Sequence, residues 1–321
     1  MDTPAPGGQA VRVSRPLPDP VPGVYAVTTG QVVLLPDDDG RRGWTLVLNG
    51  VASSHVDLDD PLRLDFEYTR WIADLLDVME PAGEPLRALH LGGAGCTLAR
   101  YVAASRPGSR QLVVELDPQV VDLVRQAFGL RSTGLLRIRT GDAREVLTGL
   151  PDDRYEVVVR DAFGDDRVPA HLTTREFVRQ ARRVLTPTGV YVANLGDGSP
   201  TLRLARAEAA TALAVFRDVA LVAEPAQFHG RRYGNVVVIG SDGELPVAAL
   251  GRRLASGAVR ARMLEGDEVR AFAAGHAPLA DPPTDPPTDR TDDRTTDRTD
   301  DGTDDRAEGT PDRVDVRDAP R

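Results

Sequence analysis

The apolar positions of this chain change period twice, and each change marks a different kind of element. Between positions 24 and 56 they come in short β-branched runs, VYAVTT, QVVLLP and WTLVLNGVASSHV, divided by the turn signals DDDG and NG. Such runs predict an antiparallel β-meander. Over positions 62–78 the spacing becomes helical, with Leu64, Tyr68, Trp71, Ile72, Leu75 and Leu76 on one face. An amphipathic helix is therefore expected to lead out of the meander until Pro81 and Gly83 close it. Beyond Leu86 the two periods alternate: strands RALHL, QLVVEL, LRIRT, YEVVVRD and GVYVANL are separated by a glycine turn and by helices such as DPQVVDLVRQAF, AREVLTGL and TREFVRQARRVL. That order specifies a parallel sheet with helices on both faces. A helix over 201–216, a strand over 219–224 and the run NVVVIG bring the expected strands to seven, the last two as an antiparallel hairpin at the edge, while 245–274 read as terminal helices.

The two ends carry no such pattern. Residues 1–22 are proline-rich and aperiodic, and 278–321 repeat TDDR, TTDR and TDDG; neither can bury an apolar core, so both are expected to be disordered. This leaves 23–80 for the meander with its linking helix and 81–277 for the sheet domain. From Asp281 onward there are 14 acidic and 7 basic residues, which accounts for −7 of the chain's net charge of −10. The body is thus near neutral and offers no clustered positive charge for nucleic acid. All 39 residues counted as Lys or Arg are arginine, which excludes lysine Schiff bases and P-loop lysines. One cysteine, Cys96, excludes an intramolecular disulfide and a Cys-cluster zinc site. With no signal pattern and no apolar stretch long enough for a membrane helix, the chain reads as cytoplasmic, with no membrane partner.

Open parallel sheets bind ligands at the carboxyl ends of their strands, and four of those ends carry polar signals here. The first strand runs into LGGAGC at 91–96, where Gly92, Gly93 and Gly95 let the backbone approach a ligand and aim helix N–H groups at it; a tight turn has the same composition. The second ends in Glu115, 22 residues after Gly93, placed to accept both hydroxyls of a ribose, whereas Asp117 reads as the cap of the next helix. The third ends in TGDAR. There Asp142 can take an adenine amino group beside the Ala143 backbone N–H, or can simply cap its helix. The fourth ends in Asp161, an acid that can orient or deprotonate a nucleophile, or fix a loop. Their combination discriminates, because a nicotinamide dinucleotide site needs only the first two and its third fingerprint glycine would fall on Leu98. The reading is an α/β fold: a class I S-adenosylmethionine methyltransferase-like Rossmann domain with a seven-stranded, mostly parallel sheet, behind a small N-terminal β-hairpin or meander domain.

From residue 44 to 240 the chain resembles the spermidine synthase (polyamine aminopropyltransferase) family, including its divergent actinobacterial-type members. LVLNG resembles that family's Leu-x-Leu-Asp-Gly hairpin, and Tyr68 falls where its Tyr-His/Gln-Glu motif begins. LGGAGCTLARYV aligns without gaps on its Gly-Gly-Gly-Asp-Gly-Gly segment, VVELDP on its Val-Glu-Ile-Asp strand and TGDAR on its Gly-Asp-Gly/Ala turn. DAFGDDRVPAHLTTREF matches its Asp-Ser-Ser-Asp-Pro loop in length, with Asp161 on the catalytic acid.

The resemblance implies a transferase of polyamine biosynthesis in which a small-molecule amine attacks the carbon beside the sulfonium of decarboxylated S-adenosylmethionine, Asp161 helping to remove the amine's proton. An alkylammonium titrates at about 10 and needs such help at neutral pH. The resemblance also implies a homo-oligomer through the N-terminal β region, whose edge strands need covering. The departures cluster at the second substrate. Gly95 stands where the family has an aspartate that grips the aminopropyl amine, Thr69 and Arg70 replace the His/Gln and Glu, and Gly164 replaces the loop's second acid. Asp165 and Asp166 could restore that charge, and Tyr233 could gate the cleft. Without an acid at Gly95 the carboxylate of intact S-adenosylmethionine is no longer repelled. That admits a methyltransferase as the alternative, with Arg70 or Arg100 pairing the carboxylate, and a non-catalytic nucleoside-binding relative as a third reading.

The remaining candidates read as structural. His90 sits within an apolar strand as a satisfied core histidine, and His55, His171, His229 and His276 show no metal spacing, so no metal is assigned. Thr173 with Glu176 reads as a capping box. Cys96 reads as a small residue filling a tight turn, although the helix start beside it could lower its pKa.

Overall fold

The computed structural model describes residues 19–283 apart from 80, 131, 165, 166 and 259; most of the expected leader, the tail from 284, and Asp165 and Asp166 lie outside the described residues. The short β-branched runs pair in sequence order as β1 (Gly23–Val27), β2 (Gly30–Pro36), β3 (Gly43–Leu48) and β4 (Val51–Asp57), all antiparallel. Asn49 and Gly50 close β3 onto β4 with φ of 49° and 83°, the two positive angles that a tight hairpin turn of this hand requires.

Helix α1 (Glu67–Val78) buries Tyr68, Trp71, Ile72, Leu75 and Leu76. It starts five residues later than the apolar spacing suggests, after Arg63 has paired with Asp57 at 3.1 Å and Asp37 at 3.0 Å. Its far end is closed by a distant side chain. The buried guanidinium of Arg106 donates to the carbonyls of Leu76, Met79, Pro81 and Glu84, which satisfies acceptors that a helix C-terminus otherwise leaves unpaired.

The alternating region builds β5 (Arg87–Leu91), α2 (Thr97–Ser105), β6 (Arg110–Glu115), α3 (Pro118–Ala127), β7 (Leu136–Thr140), α4 (Ala143–Thr148), β8 (Tyr155–Arg160), α5 (Arg175–Val184), β9 (Leu185–Asp197), α6 (Arg203–Leu213), β10 (Asp218–Ala223), α7 (Pro225–Phe228), β11 (Gly234–Ser241), α8 (Val247–Ser256), β12 (Arg262–Glu265) and α9 (Asp267–Ala273). The sheet order is β12-β10-β11-β9-β8-β5-β6-β7. Strands β5 to β9 are parallel to one another and β10 to β12 are antiparallel additions. Eight strands therefore replace the expected seven, and β12 rather than β10 forms that edge. The extra strand is RMLE, where only Leu264 is fully buried, opposite Leu221; four residues with one buried apolar side chain are too few to show a period, so the segment read as helix.

Both faces of the sheet are packed. Leu91, Val158, Tyr191, Ala193 and Leu195 meet α5, α6 and α9 on one face, while Val157, Val159, Val190 and Val192 meet α1 and α8 on the other. Both sheets belong to the compact unit that runs to Asp281. Its last residues, which composition assigns to the tail, are pinned: the Leu279 N–H donates to Thr211 Oγ1 at 2.9 Å and the Asp281 N–H to Glu176 at 3.0 Å.

The meander is tied to the parallel sheet by Asp117. One carboxylate oxygen caps α3 through the N–H groups of Gln119 and Val120, and the other accepts the N–H and hydroxyl of Thr29 in the β1–β2 turn at 2.6 and 2.9 Å. Burial opposes ionisation of Asp117, but the Thr29 and cap donors outweigh it and hold the carboxyl below its usual range. Asp117→Ala removes cap and tie together. Thermal unfolding should show a loss of about 1–2 kcal/mol at neutral pH, shrinking as the wild-type carboxyl protonates in acid; an unchanged midpoint would mean that the turn is held by other contacts.

Candidate active site

The carboxyl ends of β5, β6, β7, β8 and β9 open on a cleft of about 320 Å³ whose far wall is the meander and the start of α1. Gly92, Gly93, Glu115, Asp142, Ala143, Asp161, Tyr68 and Tyr233 all line it. The turn after β5 is tight for a physical reason. Gly92 has φ of 95° and lies so close under the Asp161 backbone that a Cβ would sit 2.2 Å from its carbonyl oxygen. No other residue fits there without moving β8.

Asp161 follows β8 directly and both its oxygens are held. The Tyr68 hydroxyl donates to Oδ2 at 3.0 Å and the Asn194 carboxamide to Oδ1 at 2.9 Å. Burial pushes the Asp161 carboxyl above its usual range, against the pull of these donors and of the neighbouring Arg160. Tyr68, raised well above 10 by burial and by Asp161, stays a protonated donor. An oriented carboxylate with a raised proton affinity, facing a cleft, suits proton removal from an amine.

Glu115 accepts from the Gly93 and Ala94 N–H groups at 3.0 and 2.8 Å through one oxygen and from the Asp117 N–H at 3.2 Å through the other. Its lone pairs are not exhausted by these bonds, and it remains on the cleft surface. Asp142 combines both of its readings. Oδ1 caps α4 through the N–H groups of Arg144 and Glu145, while Oδ2 meets His171 Nε2 at 2.8 Å at the cleft rim. Burial alone would raise its carboxyl, yet the Glu145 amide and His171 hold it below the ordinary range. Tyr233 is 59% exposed, and its side chain covers Gly196 and Gly198, where a Cβ would lie 2.2 Å from its hydroxyl oxygen and 2.7 Å from a ring carbon.

Several expectations fall elsewhere. Gly95 does not line the cleft: its N–H donates to Ser54 Oγ at 3.0 Å, and a Cβ would come within 2.8 Å of Ser54 Cβ and 3.1 Å of Val56. An aspartate there would have to push the meander away. Arg70 points to the other side of α1, to Asp74, Asp77 and the Tyr101 hydroxyl, and Arg100 is buried against the Phe128 and Asp57 carbonyls. Neither guanidinium lines the cleft, so neither is placed for the carboxylate pairing expected of it. Thr69 is buried with its hydroxyl on the Phe66 carbonyl at 2.6 Å, and Gly164 bridges to Arg167 outside the cleft. The α5 cap is Thr174 rather than Thr173, whose hydroxyl donates to the Ala170 carbonyl; Glu176 accepts from Asp281 instead of closing a box. Burial pushes the Cys96 thiol up to about 12 and lowers His90, paired with Gln111 at 2.9 Å, to about 4.

The cleft also contains residues the motifs did not single out: Glu67, His171, Asn194 and Asn235. Asn194 lies inside β9, three residues before its end, and reaches the cleft because β9 runs on past the end of its neighbour β8; a rule that looks only just past strand ends does not find it. Glu67 stands in the first turn of α1, one residue before Tyr68. Among the described residues no group of three or more His, Cys, Asp or Glu is arranged to hold a metal ion, and no helix is long and apolar enough to cross a membrane.

Residues 65–241 match the spermine/spermidine synthase domain, which covers both the start of α1 and the strand ends around the cleft. The chain belongs to the spermine/spermidine synthase family. A solved structure described as a probable spermidine synthase from Corynebacterium glutamicum is 38% identical and superposes with a TM-score of 0.77, over 83% of this chain and 98% of that one. The polyamine aminopropyltransferase of Vibrio vulnificus is 34% identical over 159 residues, which is 49% of this chain and 51% of that protein; the chain thus spans about half the length of the curated relatives it matches first. Spermidine synthase from Thermotoga maritima, 17% identical with a TM-score of 0.55 over 72% of this chain and 75% of that one, shares the fold.

Proposed function

We propose that the protein transfers an aminopropyl group from decarboxylated S-adenosylmethionine to a small primary amine. The observation that carries this reading is the charge of the cleft. Glu67, Glu115, Asp142 and Asp161 line it, and His171 is the one basic side chain among its described lining residues. A donor bearing a sulfonium and an ammonium, and no carboxylate, complements such a surface, whereas the carboxylate of the intact donor finds no cation to pair with.

In this reading Glu115 accepts the ribose hydroxyls, Asp142 and the Ala143 N–H address the adenine, and the Gly92–Gly93 backbone lies against the nucleoside. Asp161 takes a proton from the acceptor's ammonium. The freed lone pair forms the new C–N bond at the carbon beside sulfur, the C–S bond breaks with its electrons going to sulfur, and 5′-methylthioadenosine leaves as a neutral thioether. The protein's contribution is alignment and charge, since the sulfonium supplies the leaving group.

Titration calorimetry with the two donors tests the choice. The decarboxylated donor should bind at least about tenfold more tightly than S-adenosylmethionine, a difference on the order of one unpaired carboxylate beside acidic groups, and should release 5′-methylthioadenosine once an amine is added. Equal or tighter binding of intact S-adenosylmethionine would favour the methyltransferase instead.

A further inference from the structure

Asn194 is 1% exposed and lies in β9, three residues before its end and level with Asp161 at the end of the neighbouring strand. Its carboxamide nitrogen donates to Asp161 Oδ1 at 2.9 Å, and because an ionised carboxylate can only accept, this fixes the amide's orientation with its oxygen turned elsewhere. That oxygen meets no donor among the described residues, although Asn194 is part of the cleft wall. Buried carbonyl oxygens in native structures are nearly always paired, so one left open beside a reactive carboxylate calls for a partner from outside the chain. The opening is not slack in the fold. The Asn194 backbone carbonyl accepts from Arg160 Nη2 at 3.1 Å, and Arg160 is itself clamped by both oxygens of Glu208 at 2.8 and 3.1 Å.

We propose that Asn194 Oδ1 accepts an N–H of the acceptor amine, so that one carboxamide holds the base and the nucleophile side by side. This rests on the aminopropyl-transfer reading above. An ammonium brings three N–H groups; after one proton has gone to Asp161, the neutral amine keeps two N–H groups and a lone pair. Asn194 Oδ1 takes one N–H, which turns the lone pair toward the carbon beside sulfur.

The test compares wild type with N194L. Binding of 1,4-diaminobutane and of n-butylamine is measured calorimetrically on protein saturated with 5′-methylthioadenosine, alongside the amine KM in the thioether-release assay. N194L should weaken amine binding and raise amine KM about ten- to hundredfold, the loss expected for a hydrogen bond to a charged group, while 5′-methylthioadenosine affinity stays unchanged. A residue that merely held Asp161 in place would lower kcat and leave amine affinity within twofold of wild type, and that result overturns the proposal. If N194L fails to fold by its thermal midpoint, N194A is read in its place. Asn194-dependent amine binding without thioether release would sustain this assignment and remove the transfer reading; transfer by wild type with an unchanged amine KM in N194L would do the reverse.

Discussion

Replacing Asp161 with asparagine is expected to lower turnover by about a hundred- to ten-thousand-fold, the usual contribution of a general base, while nucleoside affinity and fold persist. The fold should persist because the amide can be accommodated: its oxygen can accept from Asn194 and its nitrogen can donate to a rotated Tyr68 hydroxyl. The pH behaviour separates this effect from simple damage. Burial raises the native Asp161 carboxyl above its usual range, so the contribution of this one group to stability is fully present below the unfolded carboxylate value and is lost as pH rises through the native one. At neutral pH Asp161→Asn should therefore melt no lower than wild type, and the limb of the kcat/KM profile displaced upward from ordinary carboxylates should vanish with it. Activity within tenfold of wild type would take proton removal away from Asp161.

The largest effect on stability should come from Glu208. Arg160 has no exposed side-chain surface, and it meets Glu208 through two bonds and the Leu172 and Asn194 carbonyls through two more. Glu208→Leu leaves that guanidinium buried without a counter-charge, which costs about 3–5 kcal/mol and should lower the melting temperature by on the order of 10 °C for a domain of this size. The double variant Arg160→Met with Glu208→Leu should recover most of that loss, because a buried ion pair contributes little beyond what well-packed apolar groups would. Recovery would be incomplete, since Leu172 and Asn194 lose a donor. If Glu208→Leu alone leaves the midpoint unchanged, the guanidinium has found another escape from burial.

The resemblance to spermidine synthases was legible because the residues that carry it sit at strand ends, each marked by a short local run of sequence. RALHL, QLVVEL, LRIRT and YEVVVRD each lead to a cleft residue, and the antiparallel meander was equally clear from its hairpin turns. What escaped depended on contacts between distant segments. Gly95 occupies the aligned position of a ligand-gripping acid, but its surroundings are set by Ser54 and Val56 of β4, which no local motif encodes. Arg70 and Arg100 looked available to an anion until the structure brought Asp77, Tyr101 and two backbone carbonyls to them. Strand β12 was missed because its pairing with β10, rather than its own four residues, makes it a strand. The cap moved from Thr173 to Thr174 for a similar reason: the short turn at Ala170–Leu172 takes the first threonine's hydroxyl before the helix begins.

The guanidinium of Arg106 has a reach that its position hides. By gripping carbonyls of the last turn of α1 and of the loop that follows it, it makes that loop a splint instead of a hinge, and α1 is kept in one axial register against the sheet. Each residue of slippage along a helix is about 1.5 Å, enough to carry the Tyr68 hydroxyl out of bonding range of Asp161. The alignment of the acid at the heart of the cleft is thus set in part by an arginine at the opposite end of the helix, and lengthening or shortening that loop would be felt in the chemistry before it was felt in the melting curve.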